Sequence, residues 1–287
     1  MTRRTSRPAG APRSGAPSSG SLIGLPAAKK RLGQHFLHDD ATLDAIVAGL
    51  GPLEGQTVVE IGPGRGVLTD RLVKVAARVI AIELDAVLVQ HLRARYANMP
   101  HVSIVHADVL EVSLREIAGE HFVLAGNVPY YITTPILFQA LEHPRPAIAV
   151  YLVQREVAER LVAPPGGKTY GALSVNVQAV AQVELLKHVP PSAFHPPPTV
   201  DSAVVRVVPR AHAAIPAELE GAYRLFVQQT FSFRRKQLGR VLRTVLNISA
   251  EAAIALATSC GLGADVRPET LSPEDFAKLV LAIKASP

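Results

Sequence analysis

From residue 40 onward, apolar residues recur in two alternating rhythms. Leu43, Ile46, Val47 and Leu50 fall at helical spacing, which predicts a helix over residues 40–50. Residues 56–61 (Gln-Thr-Val-Val-Glu-Ile) then form a short apolar run of the kind found in strands buried on both faces. The strand signal returns at residues 79–83 and 102–106, with helical stretches at 67–75 and 86–96 between them. Further strands are predicted at 121–125 and 147–153, each followed by helix. Strand, helix, strand in this rhythm predicts an α/β fold with a parallel sheet, because parallel neighbours need a long crossover.

The pattern then changes. Residues 173–183 and 200–208 read as two extended segments joined by the proline-rich stretch 190–198. They add an antiparallel hairpin at the edge, giving a mostly parallel, Rossmann-like sheet of seven strands. Beyond Pro209 strand signals stop, and residues 216–243, 249–260 and 272–285 read as helices, the last opened by the capping sequence Ser272-Pro273-Glu274-Asp275. The expected organisation is a sheet-bearing domain over residues 29–209 and a small all-helical C-terminal domain over 210–287. Residues 1–28 are rich in Ser, Pro, Gly, Ala and Arg and contain no acidic residue, which predicts a disordered basic tail. An organelle-targeting peptide is the rival reading, and the scattered prolines weigh against it by breaking any amphipathic helix.

Composition narrows the function classes. Lys and Arg number 30 against 24 Asp and Glu, a net charge of +6 that favours a polyanionic partner such as nucleic acid. The single cysteine, Cys260, excludes an intramolecular disulfide and a cysteine-built zinc site. No apolar run approaches the roughly 20 residues of a membrane span. The expectation is a cytoplasmic protein with no membrane partner and no metal.

The chemistry concentrates at strand ends. The first sheet strand runs into Gly62-Pro63-Gly64-Arg65-Gly66, a loop where backbone can approach a nucleotide-type ligand beside a helix N-terminus. The dinucleotide fingerprint would need a third glycine where Val67 stands, which excludes an ordinary nicotinamide site. The second strand ends in Ile82-Glu83-Leu84-Asp85, placing Glu83 where a carboxylate can accept both ribose hydroxyls of an adenosine moiety. Asp108, after the third strand, can accept from an adenine amino group, although an aspartate there could equally cap a helix.

The fourth strand ends in Asn127-Val128-Pro129-Tyr130. Methylating the exocyclic amine of adenine is hard because its lone pair is delocalised into the ring. An asparagine oxygen and a backbone carbonyl that accept the amine hydrogens draw that lone pair toward an incoming methyl group. Proline fixes the turn that aims the carbonyl, and tyrosine offers a stacking face for a base taken out of its helix.

With these segments the chain resembles the small-subunit ribosomal RNA adenine N6,N6-dimethyltransferase family, known for kasugamycin resistance, over nearly everything from Lys30 to the C-terminus. Arg31-Leu-Gly-Gln-His-Phe-Leu37, Val59-Glu-Ile-Gly-Pro-Gly64, Tyr170-Gly-Ala-Leu-Ser-Val175 and Val200-Asp-Ser-Ala-Val-Val-Arg206 add to the match. The resemblance implies a class I methyltransferase fold, S-adenosylmethionine as cofactor and 16S ribosomal RNA in the small subunit or its precursor as partner. It implies a monomer that dimethylates two adjacent adenosines of the 3′-terminal hairpin loop. It assigns His35, Leu37, Gly62, Gly64, Glu83, Asp108 and Asn127 to the cofactor. Asn127, Val128, Pro129 and Tyr130 go to catalysis, with Phe194 as the second ring of a sandwich around the target base.

Three positions depart from the family pattern: His35 stands where asparagine is common, Val128 where leucine is, and Thr199 where a lysine is. Residues 230–243 carry Arg234, Arg235, Lys236, Arg240 and Arg243 with no acid, and are expected to form a basic helix beside the cleft that contacts RNA phosphates. Two alternatives share the scaffold: the large-subunit adenine methyltransferase of the macrolide-resistance type, and a non-catalytic ribosome-assembly factor.

Overall fold

The structure, a computed structural model, describes Pro26, Ala28, Lys29 and residues 33–285. Most of the expected basic tail, together with Arg31 and Leu32 of the N-terminal motif, lies outside the described residues. The strands are β1 (Phe36–Leu37), β2 (Thr57–Ile61), β3 (Arg78–Glu83), β4 (Val102–His106), β5 (Val123–Asn127), β6 (Ala149–Gln154), β7 (Ala181–Val189), β8 (Phe194–His195) and β9 (Ser202–Pro209). The helices of the sheet-bearing part are α1 (Asp40–Gly49), α2 (Thr69–Leu72), α3 (Ala86–Arg95), α4 (Leu114–Ala118), α5 (Thr133–Ala140), α6 (Arg155–Val162) and α7 (Ala172–Gln178). After β9 come α8 (Glu220–Phe231), α9 (Leu238–Leu246), α10 (Ala250–Ser259) and α11 (Pro273–Ala285).

Seven strands form one sheet in the order β4-β3-β2-β5-β6-β9-β7, parallel except where β9 pairs antiparallel with β6 and β7. The order reverses between β2 and β5, so their C-terminal ends open a crevice, the usual ligand position in such sheets. Central strands are buried on both faces: Val58, Val59, Leu124 and Ala125 are fully covered. Capping follows local chemistry, with Asp39 accepting from the Thr42 amide at the start of α1 and Asp85 from the Val87 amide at the start of α3.

Two elements differ from the periodicity. Residues 173–178 were expected as strand and fold as α7, while the edge strand β7 begins at Ala181. The Ser174 hydroxyl accepts from the Gly171 amide and donates to the Arg160 carbonyl, which closes the first turn. Ser174, Val175, Asn176 and Val177 are then buried in succession, so the helix is covered all round and its alternating apolar residues imitate a strand. The second difference lies in residues 216–243, which are two helices: α8 ends at Phe231 and α9 starts at Leu238. The Leu238 and Gly239 amides donate to the Val266 and Ala264 carbonyls across a tight approach at Gly239, whose added Cβ would lie 3.2 Å from Ala264. That docking turns the chain between the helices.

The helices after β9 do not stand apart from the sheet. One apolar cluster runs from Val59 and Leu124 through Tyr170 and Val175 to Leu242 and Phe276. Arg145 donates to both oxygens of Glu220 at 2.6 Å, fastening the segment before β6 to the start of α8. Among the described residues no single helix is long and apolar enough to cross a membrane.

Candidate active site

The glycine loop follows β2 directly. Gly62, Gly64 and Gly66 all have positive φ, between 57° and 85°, which an L side chain rarely adopts. At Gly62 a Cβ would sit 3.2 Å from the Asn127 carbonyl oxygen, so only glycine lets this loop lie against the turn after β5. Gly64 approaches Phe36 as closely, at 3.1 Å. The loop is therefore pressed between the turn after β5 and the N-terminal segment.

A cavity opens at this edge, and its walls include Leu37, Gly62, Glu83, Asp108, Asn127 and Tyr130. His35, Gly64, Val128 and Pro129 reach it as well. Residues predicted from four strand ends and the N-terminal motif thus meet in one place.

Glu83 ends β3 and is 7% exposed. Its two carboxylate oxygens accept from the Gly64 amide at 3.1 Å and the Asp85 amide at 2.9 Å. Burial pushes its carboxyl above the ordinary range, against the pull of those amides. The side chain is thereby held at the cavity wall with lone pairs to spare. Asp108 does what its alternative reading predicted, accepting from the Leu110 amide at 3.0 Å, and it lines the cavity at the same time.

Asn127 is oriented from outside its own strand. Its Nδ2 donates to the His35 carbonyl at 3.1 Å, across 92 positions of sequence. The amide oxygen is thereby turned away from that carbonyl. Tyr130 is half-buried, its hydroxyl shares a 2.6 Å hydrogen bond with the Ser202 hydroxyl, and burial pushes its phenol up. The His35 ring stacks on Tyr130 with centroids 6.0 Å apart and planes 21° apart, while its Nδ1 donates to the Pro196 carbonyl at 2.8 Å.

Two groups of expected residues are placed elsewhere. Phe194 does not line the cavity: it is 3% exposed and packs in the core with Leu37 and Leu43. The reason is strand alternation, since β8 pairs with β1 in the register Leu37↔Phe194 and turns Phe194 inward and His195 outward. The ring beside Tyr130 is that of His35. Among the five basic residues, Arg234, Arg235 and Lys236 lie in the turn between α8 and α9, and only Arg240 and Arg243 lie on α9. None of the five lines the cavity, and Arg234 Nε donates to Glu269 at 3.0 Å.

A family model described as ribosomal RNA adenine dimethylase matches residues 26–285. The chain belongs to this family. The ribosomal RNA small subunit methyltransferase A of Acidobacterium capsulatum is 44% identical over 259 residues, covering 88% of this chain and 89% of the relative. The protein of the same name from Xanthomonas campestris pv. campestris is 42% identical over 255 residues, covering 88% and 95%. Among solved structures, a dimethyladenosine transferase from Plasmodium falciparum aligns with a TM-score of 0.74 at 25% identity, covering 87% of this chain and 98% of that one. The 23S rRNA methyltransferase ErmE aligns with a TM-score of 0.68 at 26% identity, covering 87% and 99%.

Several contacts that shape this candidate site were missed in the sequence. Lys29 Nζ pairs with Asp85 at 2.7 Å and Gln34 Nε2 donates to the same carboxylate at 3.2 Å, so Asp85 fastens the N-terminal segment as well as capping α3. Burial raises the Asp85 carboxyl, but these two groups and the Val87 amide outweigh it and hold it low. Arg65 donates to the Pro26 carbonyl at 2.7 and 3.0 Å and lies 4.2 Å over the Phe36 ring. Pro26, which the expected tail included, is therefore part of the wall's support. Only the aspartate before a helix was a signal for any of this, and it pointed to the cap alone.

Proposed function

We propose that this protein transfers methyl groups from S-adenosylmethionine to N6 of two adjacent adenosines in the 3′-terminal hairpin loop of small-subunit ribosomal RNA, giving N6,N6-dimethyladenosine. The observation that carries the reading is Asn127, whose amide nitrogen is engaged by His35 so that its oxygen is the group left to accept from a target amine.

The residues present fit the cofactor. The Gly62–Asn127 approach forms a cradle that a Cβ would fill, and a buried carboxylate stands beside it. Glu83 would hold the ribose hydroxyls, Asp108 the adenine amine, and the loop of Gly62 and Gly64 with His35 and Leu37 the remainder. When bound, the cofactor supplies a methyl group on a positively charged sulfur.

The protein's own work is on the nucleophile. In the first transfer the Asn127 oxygen and the Val128 carbonyl would accept the two N6 hydrogens, localising the nitrogen lone pair toward the methyl donor. In the second, one of them holds the single remaining hydrogen, and each transfer ends with loss of one N6 proton to solvent. The Pro129 carbonyl is engaged by the Ile132 amide and the Thr133 hydroxyl, each at 3.2 Å, so the turn is rigid when the base arrives. Such preorganised acceptors act where charge develops in the transition state. Tyr130, fixed by Ser202, supports the base face. The net positive charge draws the RNA in.

Residues 29–209 carry the chemistry in this reading, and residues 210–287 grip RNA through Arg235, Lys236, Arg240 and Arg243, with Arg234 shared with Glu269. The protein acts as a cytoplasmic monomer. The relatives at 42–44% identity are named for the small subunit, which favours it over the large-subunit chemistry of the ErmE type. The test is to incubate the protein and labelled cofactor with unmethylated small and large subunits, then digest the RNA. N6,N6-dimethyladenosine from the small subunit alone is the expected product. Label confined to large-subunit RNA, or no label, overturns the assignment.

A further inference from the structure

The residue after Tyr130 is another tyrosine, and its surroundings are the reverse. Tyr130 is held by Ser202 and covered by His35; Tyr131 is 60% exposed yet lines the same cavity at its mouth. One edge of the Tyr131 ring faces Gly33 of the N-terminal segment, where an added Cβ would reach ordinary van der Waals contact, 3.6 Å from Cδ1 and 3.7 Å from Cε1. Gly33 has a φ of 59°, a conformation that favours glycine, so no side chain fills the space beside that edge of the ring.

The backbone beneath Tyr131 is tied by hydrogen bonds. Tyr130–Ile132 form a single tight turn that passes straight into α5, and the Thr133 hydroxyl donates to the Pro129 and Tyr130 carbonyls at 3.2 and 3.3 Å. An exposed aromatic ring on a hydrogen-bonded turn, lining the cavity beside Asn127 and Tyr130, is the kind of arrangement by which proteins stack unpaired bases.

We propose that Tyr131 is a stacking platform for the nucleotide adjacent to the target adenosine, and so selects unpaired loop RNA over duplex. The inference rests on the reading of the cavity as an adenosine N6 methyltransferase site. When the target base enters the cavity, its neighbour in the strand loses a stacking partner at the mouth. Tyr131 replaces that partner there, while Tyr130 serves the target base itself. A duplex cannot offer both bases at once without unpairing both.

The test uses the full chain, S-adenosylmethionine and an RNA hairpin whose loop holds unpaired adenosines, with 2-aminopurine placed in turn on each side of the target. Tyr131→Ala is expected to raise the RNA KM about ten-fold, within what a single base–aromatic stack contributes, with cofactor affinity unchanged. Tyr131→Leu, which keeps bulk without a π face, is expected to behave like the alanine variant. Tyr131→Phe is expected to match the wild type. Fluorescence of 2-aminopurine on one side should be quenched by wild type and Tyr131→Phe and not by the other two. Wild-type KM and quenching in both Tyr131→Ala and Tyr131→Leu overturn the platform while leaving the methyltransferase reading intact. A wild-type protein that transfers no methyl group to adenosine N6 in this RNA overturns the reading and the platform with it.

Discussion

Glu60, the fourth residue of β2, is 1% exposed, and its Oε2 accepts the Thr69 hydroxyl at 2.6 Å. Burial pushes its carboxyl up to about 8 from an ordinary 4.5; the Thr69 hydrogen bond pulls it down and the nearby Glu83 charge pushes it up again. The folded protein therefore keeps a proton that the unfolded chain releases. The stability this contributes is complete below pH 4.5 and is lost as pH rises to about 8. At about 1.4 kcal/mol per pH unit the interval sets a ceiling of about 5 kcal/mol. Glu60→Gln is neutral throughout, and its amide oxygen can still accept from Thr69. The variant should match the wild type near pH 5 and become increasingly more stable toward pH 8, with no further divergence at pH 9. At about 2–4 °C per kcal/mol, the gap in melting temperature at pH 8 should reach about 10 °C or more. Thermal melts of both proteins at unit pH steps measure it, and titrating groups that do not interact with Glu60 cancel because both proteins share them, Glu83 and Asp70 being the coupled ones. Parallel melting curves from pH 5 to 9 would refute the argument that a buried proton on Glu60 supports the sheet.

Glu83→Ala should weaken S-adenosylmethionine binding by ~1.5–3 kcal/mol, the loss typical of a charged hydrogen-bond acceptor, and calorimetric titration reads it directly. Asn127→Ala should lower kcat by roughly 10²–10³, in line with removal of one preorganised polar group, while cofactor affinity stays within a few fold; dimethylation at the wild-type rate would contradict the assigned role. Neutralising Arg234 and Arg235 together should flatten the dependence of log K for ribosomal subunits on log salt by about one to two units, and an unchanged slope means that RNA docks elsewhere.

Gly62, Glu83, Asp108 and Asn127 could be read from the chain because each follows an apolar run long enough to announce a strand. A parallel sheet brings the C-terminal ends of such strands to one edge, so locating the strands also locates the polar residues behind them. Residues 173–178 and 230–243 were misread for one reason: local periodicity cannot tell a helix buried on all sides from a strand, nor see a docking contact from another segment. The Leu238 and Gly239 amides answer to carbonyls near residue 265, which no pattern within α8 or α9 encodes.

Chain pattern by itself determined most element types, the sheet's parallel character and the gathering of polar residues at the strand ends, while the net charge favours a polyanionic partner. Tertiary structure decided which atoms those residues present. The His35 carbonyl turns the Asn127 amide, Ser202 holds the Tyr130 hydroxyl, and the β1–β8 pairing takes the Phe194 ring into the core. Hydrophobic spacing records only which face of an element is buried. The partner across the interface is set by where distant segments meet, and these contacts join positions 72 to 157 residues apart, Tyr130 with Ser202 at the short end and Leu37 facing Phe194 at the long one. Elements are thus written largely in local spacing, while the orientation of each candidate catalytic group depends on close packing between segments that no local spacing relates.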